Sequence, residues 1–217
     1  MNYRKYITIF AFIIIVGLVI YASAELQGRI IGSVNYLGGY FQNHVFLGGL
    51  ILFGLSVVSV LISPFSSVPL LPSAILAWGS FLTFSILFPA WVTGGILAYF
   101  IGSLTQEKIL RHFFSFEKIE YYKKLISPRS QFLLVLIFQA VTPSEISSYT
   151  LGIIHYDFKK YLLIIALTDS LYALVIVYAA SVLVSGKILL FAGIILIGAI
   201  IFYYTYRVFN NKIKNRK

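Results

Sequence analysis

The sequence predicts an all-α integral membrane protein with about five transmembrane helices and two opposed re-entrant hairpins that form an inverted repeat. Composition predicts the membrane class, because 59% of the 217 residues are hydrophobic, 11% are charged and the mean hydropathy is +0.91. Such a chain has more apolar surface than one globular core can hide, so the bilayer must solvate it. Two apolar segments that are interrupted by proline predict the hairpins.

The charge balance is strongly basic. Seventeen Lys and Arg stand against seven Asp and Glu, which gives a net charge of +10, and most basic residues lie in breaks between apolar runs. This pattern favours contact with anionic or phosphate-bearing lipid headgroups. It argues against nucleic-acid binding, which requires a contiguous basic face on a folded domain. The absence of cysteine excludes disulfides and thiolate zinc sites.

Residues 1–44 are predicted to hold an N-terminal transmembrane helix and a link. The apolar run Ile7 to Ala24 is about as long as a bilayer core requires. It ends in small residues, which also fits a signal peptide with its cleavage site. We favour a retained helix because the run is long and the remaining chain carries its own insertion signals. A polar, Gly-rich link follows from Glu25 to His44.

Residues 45–185 are predicted to form the main membrane domain, whose first half contains a cluster of prolines and serines. The cluster comprises Ser63, Pro64, Ser66, Ser67, Pro69, Pro72 and Ser73. No single helix passes through it, because each proline removes a backbone donor and clashes with the preceding turn. At membrane depth, broken backbone survives only where protein or a watery cavity covers it. We therefore predict a span from Val45 to Ile62, a re-entrant segment from Pro64 to about Ser80, and a span from about Phe81 to Ser103.

The second half repeats this arrangement. The apolar run Gln131 to Ile154 is interrupted at Pro143-Ser144-Glu145, which predicts a second re-entrant segment. Two further spans are predicted, from Phe158 to about Ser185 and from Ile188 to Tyr206. Residues 186–217 therefore hold the last transmembrane helix and a basic cytoplasmic tail.

The long polar stretch from Leu104 to Ser130 separates the two halves. Its apolar residues recur at roughly helical spacing, so part of it is expected to lie amphipathic on the membrane surface. By the positive-inside rule, this loop and the tail are cytoplasmic. The two re-entrant segments then enter the membrane from opposite faces. The same count places the N-terminus outside, against the bias of Arg4 and Lys5.

Corresponding positions of the two interruptions carry similar residues. Pro72-Ser73-Ala74-Ile75 resembles Pro143-Ser144-Glu145-Ile146, and broken apolar segments in corresponding halves indicate a transporter-type site near the bilayer midplane. Pro72, Ser73, Pro143 and Ser144 are therefore candidate site residues. Half-helices that begin at such prolines present free N–H groups and a positive dipole end, which suits an anionic headgroup. Alternatively, the serines only satisfy backbone groups that the prolines leave free.

Two acidic residues are expected to lie within the membrane. Glu145 is inside the second broken segment and Asp169 is near the middle of the next span. An ionised carboxylate that faces lipid costs about 3 kcal/mol or more, so both side chains must face protein or water. In the functional interpretation they exchange protons or hold a cation. In the structural one, Glu145 caps a half-helix and Asp169 forms a hydrogen bond to a neighbour. Gly94, Gly95 and Gly152 are expected to allow close helix packing.

Several motifs together resemble the DedA family, also called the SNARE-associated or VTT-domain family, over about residues 45–183. In the first half these are Leu71-Pro72-Ser73, then Gly79, then the run from Gly94 to Gly102. In the second half they are Phe138-Gln139-Ala140-Val141-Thr142-Pro143-Ser144-Glu145, then Tyr149-Thr150-Leu151-Gly152, then Phe158. The resemblance implies a fold with two opposed re-entrant hairpins, and a role in moving phospholipids or polyprenyl-phosphate carriers between leaflets.

The chain departs from this family in its charged residues. Where bacterial members carry an acid after the first proline it has Ala74, and where they carry the Asp of a Gly-Asp pair it has Gly95. Where they carry arginines that flank the second proline, it has Ala140 and Ile146. Glu145 and Asp169 are candidates to replace the missing acids. Candidates for headgroup contact near the cytoplasmic mouth are Lys159, Lys160 and Arg129.

We therefore predict a lipid flippase or scramblase in a prokaryotic plasma membrane, with coupling to protons as an option that the sequence leaves open. Its partners are lipids with anionic or phosphate-bearing headgroups. Two alternatives stay open: a secondary transporter of a small solute or ion, and a membrane assembly factor that acts through the polar stretch between the halves. No catalytic triad, phosphate loop, cofactor motif or metal motif occurs in the sequence, so no enzyme activity, metal or cofactor is predicted.

Overall fold

The computed structural model describes residues 34–62, 66–104 and 132–214, together with the single positions Gly32 and Ile126. All regular structure in these ranges is helical. In chain order the helices are α1 over residues 34–43, α2 over Val45–Leu61, α3 over Leu71–Leu104, α4 over Phe132–Val141, α5 over Ser144–Ile153, α6 over Phe158–Val184 and α7 over Ile188–Lys214. A short 3-10 turn, Val68–Leu70, leads directly into α3.

Three helical segments are long and apolar enough to cross a membrane, and they span Val68–Leu104, Phe158–Val184 and Ile188–Phe209. Helices α2 and α4 are apolar but shorter, with 17 and 10 residues. The predicted first span, Ile7 to Ala24, lies outside the described residues, as does nearly all of the predicted amphipathic stretch. The all-helical membrane class is therefore confirmed, whereas the number of spans stays a prediction.

Helical structure extends beyond two of the predicted spans. The described part of the link before Val45 is a helix, α1, because it packs on α3: Phe41 is buried and stacks on Trp78, whose indole nitrogen donates to the Phe41 carbonyl at 3.1 Å. This tertiary contact outweighs the low helix propensity of the glycines in α1. At the other end, α7 continues past Tyr206 to Lys214, so the helix runs into the predicted tail.

The first interruption has two parts. No helix passes through the described part of the proline and serine cluster, as predicted, because α2 ends at Leu61 and helical structure resumes at Val68. Glycine makes a second break further along the chain. Gly79 has φ 79° and ψ 171°, a conformation that only glycine adopts without strain, and it separates a short first part of α3 from a long second part. Pro72 does not break the chain. It lies in the first turn of α3, where the missing N–H would have had no helical partner anyway.

The second interruption is the junction of α4 and α5. Helix α4 ends at Val141, Pro143 is extended with φ −50° and ψ 136°, and α5 begins at Ser144. The predicted proline break is therefore present. Whether the two broken helices re-enter the membrane from opposite faces stays a prediction.

Helix α3 is the centre of the bundle, where it packs on α2, α5 and α6. One apolar cluster joins α1, α2, α3 and α6, and includes Phe41, Leu52, Leu87 and Ala173. A second cluster joins α3, α4, α6 and α7, and includes Tyr99, Phe138, Tyr161 and Phe209. The bundle therefore holds the two interruptions close to α6, which carries Asp169.

Candidate functional site

A cavity of about 330 Å³ lies where the two interruptions meet α2 and α6. Its volume is at the lower end of the range of about 300–1,000 Å³ that small-molecule sites occupy. The residues that line it are Ser59, Val60, Ser66, Ser67, Val68, Trp91, Ser144, Glu145, Asp169, Tyr172 and Ile176. The cavity is thus polar on several sides although apolar helices build it.

Both predicted intramembrane acids face this cavity, although they are 24 positions apart in the sequence. Glu145 is half-buried in the first turn of α5, where the positive end of the helix dipole favours a carboxylate. Asp169 is only 2% exposed in the middle of α6, and its Oδ2 atom has no hydrogen-bond partner among the described residues. The structure therefore brings the two acids into one site. Their roles stay predictions.

Hydroxyl groups form much of the remaining wall. Ser67, just before the 3-10 turn, is 1% exposed, and its Oγ also lacks a hydrogen-bond partner within the described ranges. The hydroxyl of Ser66 accepts a hydrogen bond from the Val68 N–H at 3.3 Å. The start of the 3-10 turn and the start of α5 at Ser144 therefore open onto the same cavity. The Val68 N–H is already bonded and Pro69 has no N–H, so of these two starts the start of α5 is the one whose free N–H groups favour an anionic group.

Three other candidates do not line the cavity. Ser73 is buried in the first turn of α3, where its carbonyl lies against Gly38 of α1, and Pro72 precedes it. The serine that faces the cavity in the first half is instead Ser67. The reason is that the helical turn begins at Val68, four residues before Pro72, so the chain has already turned away when it reaches Ser73. Pro143 is exposed and acts as the N-cap residue of α5.

The candidate cations are distant from the cavity or undescribed. Lys159 and Lys160 are exposed at the start of α6, and precede Asp169 by ten and nine residues, or about 14–15 Å along the helix axis. The N–H of Lys160 donates to Asp157 at 2.8 Å, which caps α6. Arg129 lies outside the described residues. No Lys, Arg or His is among the described residues that line the cavity.

The glycines named from the sequence lie at close helix contacts. A Cβ atom at Gly94 would lie 2.8 Å from the Val60 Cβ of α2. A Cβ atom at Gly95 would overlap the Ile165 side chain and lie 3.0 Å from the Tyr161 hydroxyl of α6. These two glycines therefore let α3 approach helices on both of its sides. One of those neighbours, α6, carries Asp169.

Gly152 also lies at a close helix contact, as expected, but its pairing with Gly102 in a reciprocal contact between α3 and α5 was not predicted. A Cβ atom at Gly152 would overlap the Tyr99 carbonyl, and one at Gly102 would meet the Tyr149 backbone. Both pairs have the spacing Tyr-x-x-Gly, so this repeated motif was the signal in the sequence. The contact is supported by hydrogen bonds from the Tyr99 hydroxyl to the Tyr156 carbonyl, and from the Tyr149 hydroxyl to the Leu61 carbonyl at 3.3 Å.

Three cavity residues were also missed: Ser59, Trp91 and Tyr172. Each is a single polar or aromatic residue within an apolar helix, and such residues usually pack in a core or at the membrane interface. Tyr172 did have a signal, because it follows Asp169 by three residues and so shares its helix face. Its hydroxyl donates to the Ala140 carbonyl near the end of α4. This bond ties α6 to the second interruption.

The structure explains why the family's charged positions are apolar here. Ala74 is fully buried, and Ile146 is 9% exposed. The space where a side chain at Gly95 would lie is filled by Ile165. An unpaired charge at any of these positions would be desolvated at high cost. The acids of this chain instead lie at positions that face a cavity.

The long apolar helices, with their two interruptions and the cavity lined by acids and hydroxyl groups, define a multi-pass membrane protein. A family model of the VTT domain matches residues 63–182, which is more than half of the 217-residue chain. The chain therefore belongs to the VTT-domain family, which is the DedA or SNARE-associated family, as the motifs predicted. Neither the curated proteins nor the solved structures gave a match.

Proposed function

We propose that this protein moves lipids between the two leaflets of a prokaryotic plasma membrane, as a flippase or scramblase of phospholipids or polyprenyl-phosphate lipids. The observation that carries the proposal is the polar cavity at the junction of two broken helices, inside a bundle of otherwise apolar helices. Headgroup transfer requires such a polar environment, because an uncompensated polar group is costly at membrane depth. The acyl chains meanwhile stay in the bilayer.

Glu145 and Asp169 have different positions in this proposal. Glu145 is half-buried, so the arriving headgroup meets it before it meets Asp169, which is almost fully buried. Both acids line the cavity through which the headgroup would pass. Proton exchange at an acid in this position is the proposed means by which transport is coupled to a pH gradient.

Leaflet exchange in liposomes tests the proposal. The protein is reconstituted with fluorescent phospholipid or polyprenyl phosphate, and dithionite quenching follows exchange with and without a pH gradient. We expect exchange by the wild type and at least a tenfold slower rate for Glu145→Gln, which removes the charge at nearly constant volume. Asp157→Asn is the matched control, because it removes an exposed acid while Asn still caps α6. Equal rates for the wild type and Glu145→Gln in folded protein would contradict a role for Glu145.

A secondary transporter of a small solute or ion is the second candidate. The cavity volume favours it as much as it favours a headgroup, since about 330 Å³ suits either. This function predicts saturable solute uptake into sealed vesicles in which no lipid changes leaflet. A wild type that moves no lipid in the exchange assay would favour it.

A further inference from the structure

We propose that the cavity selects lipid headgroups that carry a primary ammonium group over headgroups whose only charge is a phosphate. This inference rests on the proposed lipid translocation, and names the substrate class of the same site. It follows from the charge of the cavity wall, from two buried acceptor atoms without partners, and from the cavity volume.

The described part of the cavity wall is acidic. Glu145 and Asp169 both face the cavity, and the described lining residues include no Lys, Arg or His. Within these ranges no side chain neutralises an ionised Asp169, and a buried charge must be paired, so a positive group on the substrate would stabilise it. A headgroup that carries only a phosphate would bring a second negative charge beside these acids. A headgroup with an ammonium group would neutralise them.

Two buried acceptors specify the type of ammonium. Asp169 Oδ2 and Ser67 Oγ are both in side chains at most 2% exposed, both belong to residues that line the cavity, and neither has a hydrogen-bond partner among the described residues. A primary ammonium has three N–H donors and no acceptor, so it can satisfy both atoms. A trimethylated ammonium has no N–H group and would leave both acceptors unpaired. Selection against it is therefore expected as well.

The volume and the start of α5 fit a whole headgroup. Hard metal ions are held by oxygen atoms at about 2.0–2.6 Å, which requires far less space than about 330 Å³. The cavity also receives the start of α5, where the first N–H groups have no intrahelical partner and can bind the phosphate of the same headgroup. The arrangement thus fits a zwitterionic group, with the phosphate at the start of α5 and the ammonium at Asp169.

Acyl-labelled lipids that differ only in headgroup give the first test. In liposomes that contain the full-length protein, we expect phosphatidylethanolamine to exchange at least tenfold faster than phosphatidylglycerol, with phosphatidylcholine also slow. Asp169→Asn should lower the ethanolamine rate to the glycerol rate, and Asp157→Asn should leave the ratio unchanged. The wild-type comparison alone decides the proposal if Asp169→Asn fails to fold. If phosphatidylglycerol exchanged as fast as phosphatidylethanolamine, or faster, the proposed selectivity would be overturned, although lipid translocation would be supported.

Binding of soluble headgroups to detergent-purified protein separates the two proposals. We expect glycerophosphoethanolamine to raise the thermal unfolding midpoint, whereas glycerophosphocholine and glycerophosphoglycerol should not, because only a bound ligand stabilises the folded state. Stabilisation together with no lipid exchange would reject translocation and support the selectivity. An unfolding midpoint that is instead higher in sodium chloride than in tetramethylammonium chloride, and is unchanged by glycerophosphoethanolamine, would indicate a metal-ion site. That result would overturn the inference.

Discussion

Replacing Gly152 by alanine tests the contact between α3 and α5. An added Cβ atom would overlap the Tyr99 carbonyl oxygen, and would lie 2.9 Å from the Tyr99 carbonyl carbon and 3.0 Å from the Ser103 nitrogen. All three are backbone atoms, so no side-chain rotation can relieve the overlap. The two helices must therefore move apart.

The expected loss of stability follows from two opposing effects. Alanine is favoured over glycine in a helix interior by about 1 kcal/mol, whereas overpacking of a well-packed core costs about 1–3 kcal/mol. Separation of the helices also loosens the Gly102 contact with Tyr149, which belongs to the same interface. We therefore expect Gly152→Ala to lower the free energy of unfolding by about 1–2 kcal/mol. It should also slow transport, because α5 carries Ser144 and Glu145.

Thermal unfolding of the purified full-length protein in detergent measures this effect. Gly54→Ala in α2 is the control, since no atom lies within 4 Å of its added Cβ. We expect the control to unfold at or above the wild-type temperature and Gly152→Ala to unfold below it. If Gly152→Ala unfolds at or above the wild-type temperature, α3 and α5 do not approach each other as described.

Two further predictions concern the helix boundaries that position the cavity. Gly79→Ala should lower the free energy of unfolding by about 1–3 kcal/mol through backbone strain alone, because the space around Gly79 is open. Gly193→Ala in α7, which also lies in open space, should be neutral or stabilising, and thermal unfolding of both variants measures the difference. Equal unfolding temperatures for the two variants would argue against the positive φ at Gly79. Asp157→Ala should lower the free energy of unfolding by about 1 kcal/mol because it removes the cap of α6, whereas Asp157→Asn retains the cap. The unfolding midpoints of both variants measure this effect, and an unchanged midpoint for Asp157→Ala would show that the cap does not stabilise α6.

Local chemistry explains why several features could be predicted from the sequence. Apolar runs predict membrane helices because burial in the bilayer depends on composition and length. A proline within an apolar run favours a helix break, so the break at Pro143 was predictable, although α3 continues through Pro89. Motifs on both sides of Pro143 indicated the family. Glu145 and Asp169 were identifiable because an acid within an apolar run must face protein or water.

Two features of the fold depended on more than the apolar pattern. Helix α1 forms because Phe41 and Trp78 pack together across 37 positions of sequence. The second break of the first interruption is made by Gly79, whereas Pro72 is tolerated because it lies in the first turn of α3.

The sequence by itself determined that this chain is a helical membrane protein of the VTT-domain family with two interrupted apolar segments and two acids within apolar runs. Only the tertiary structure decided which side chains share a cavity: it selected Ser67 over Ser73, added Tyr172, and left Lys159 and Lys160 about three helical turns from Asp169. The physical reason is that hydrophobicity and proline act locally along the chain. The composition of a cavity depends on how closely helices pack and on how each is rotated, and glycines such as Gly95 and Gly152 set that approach.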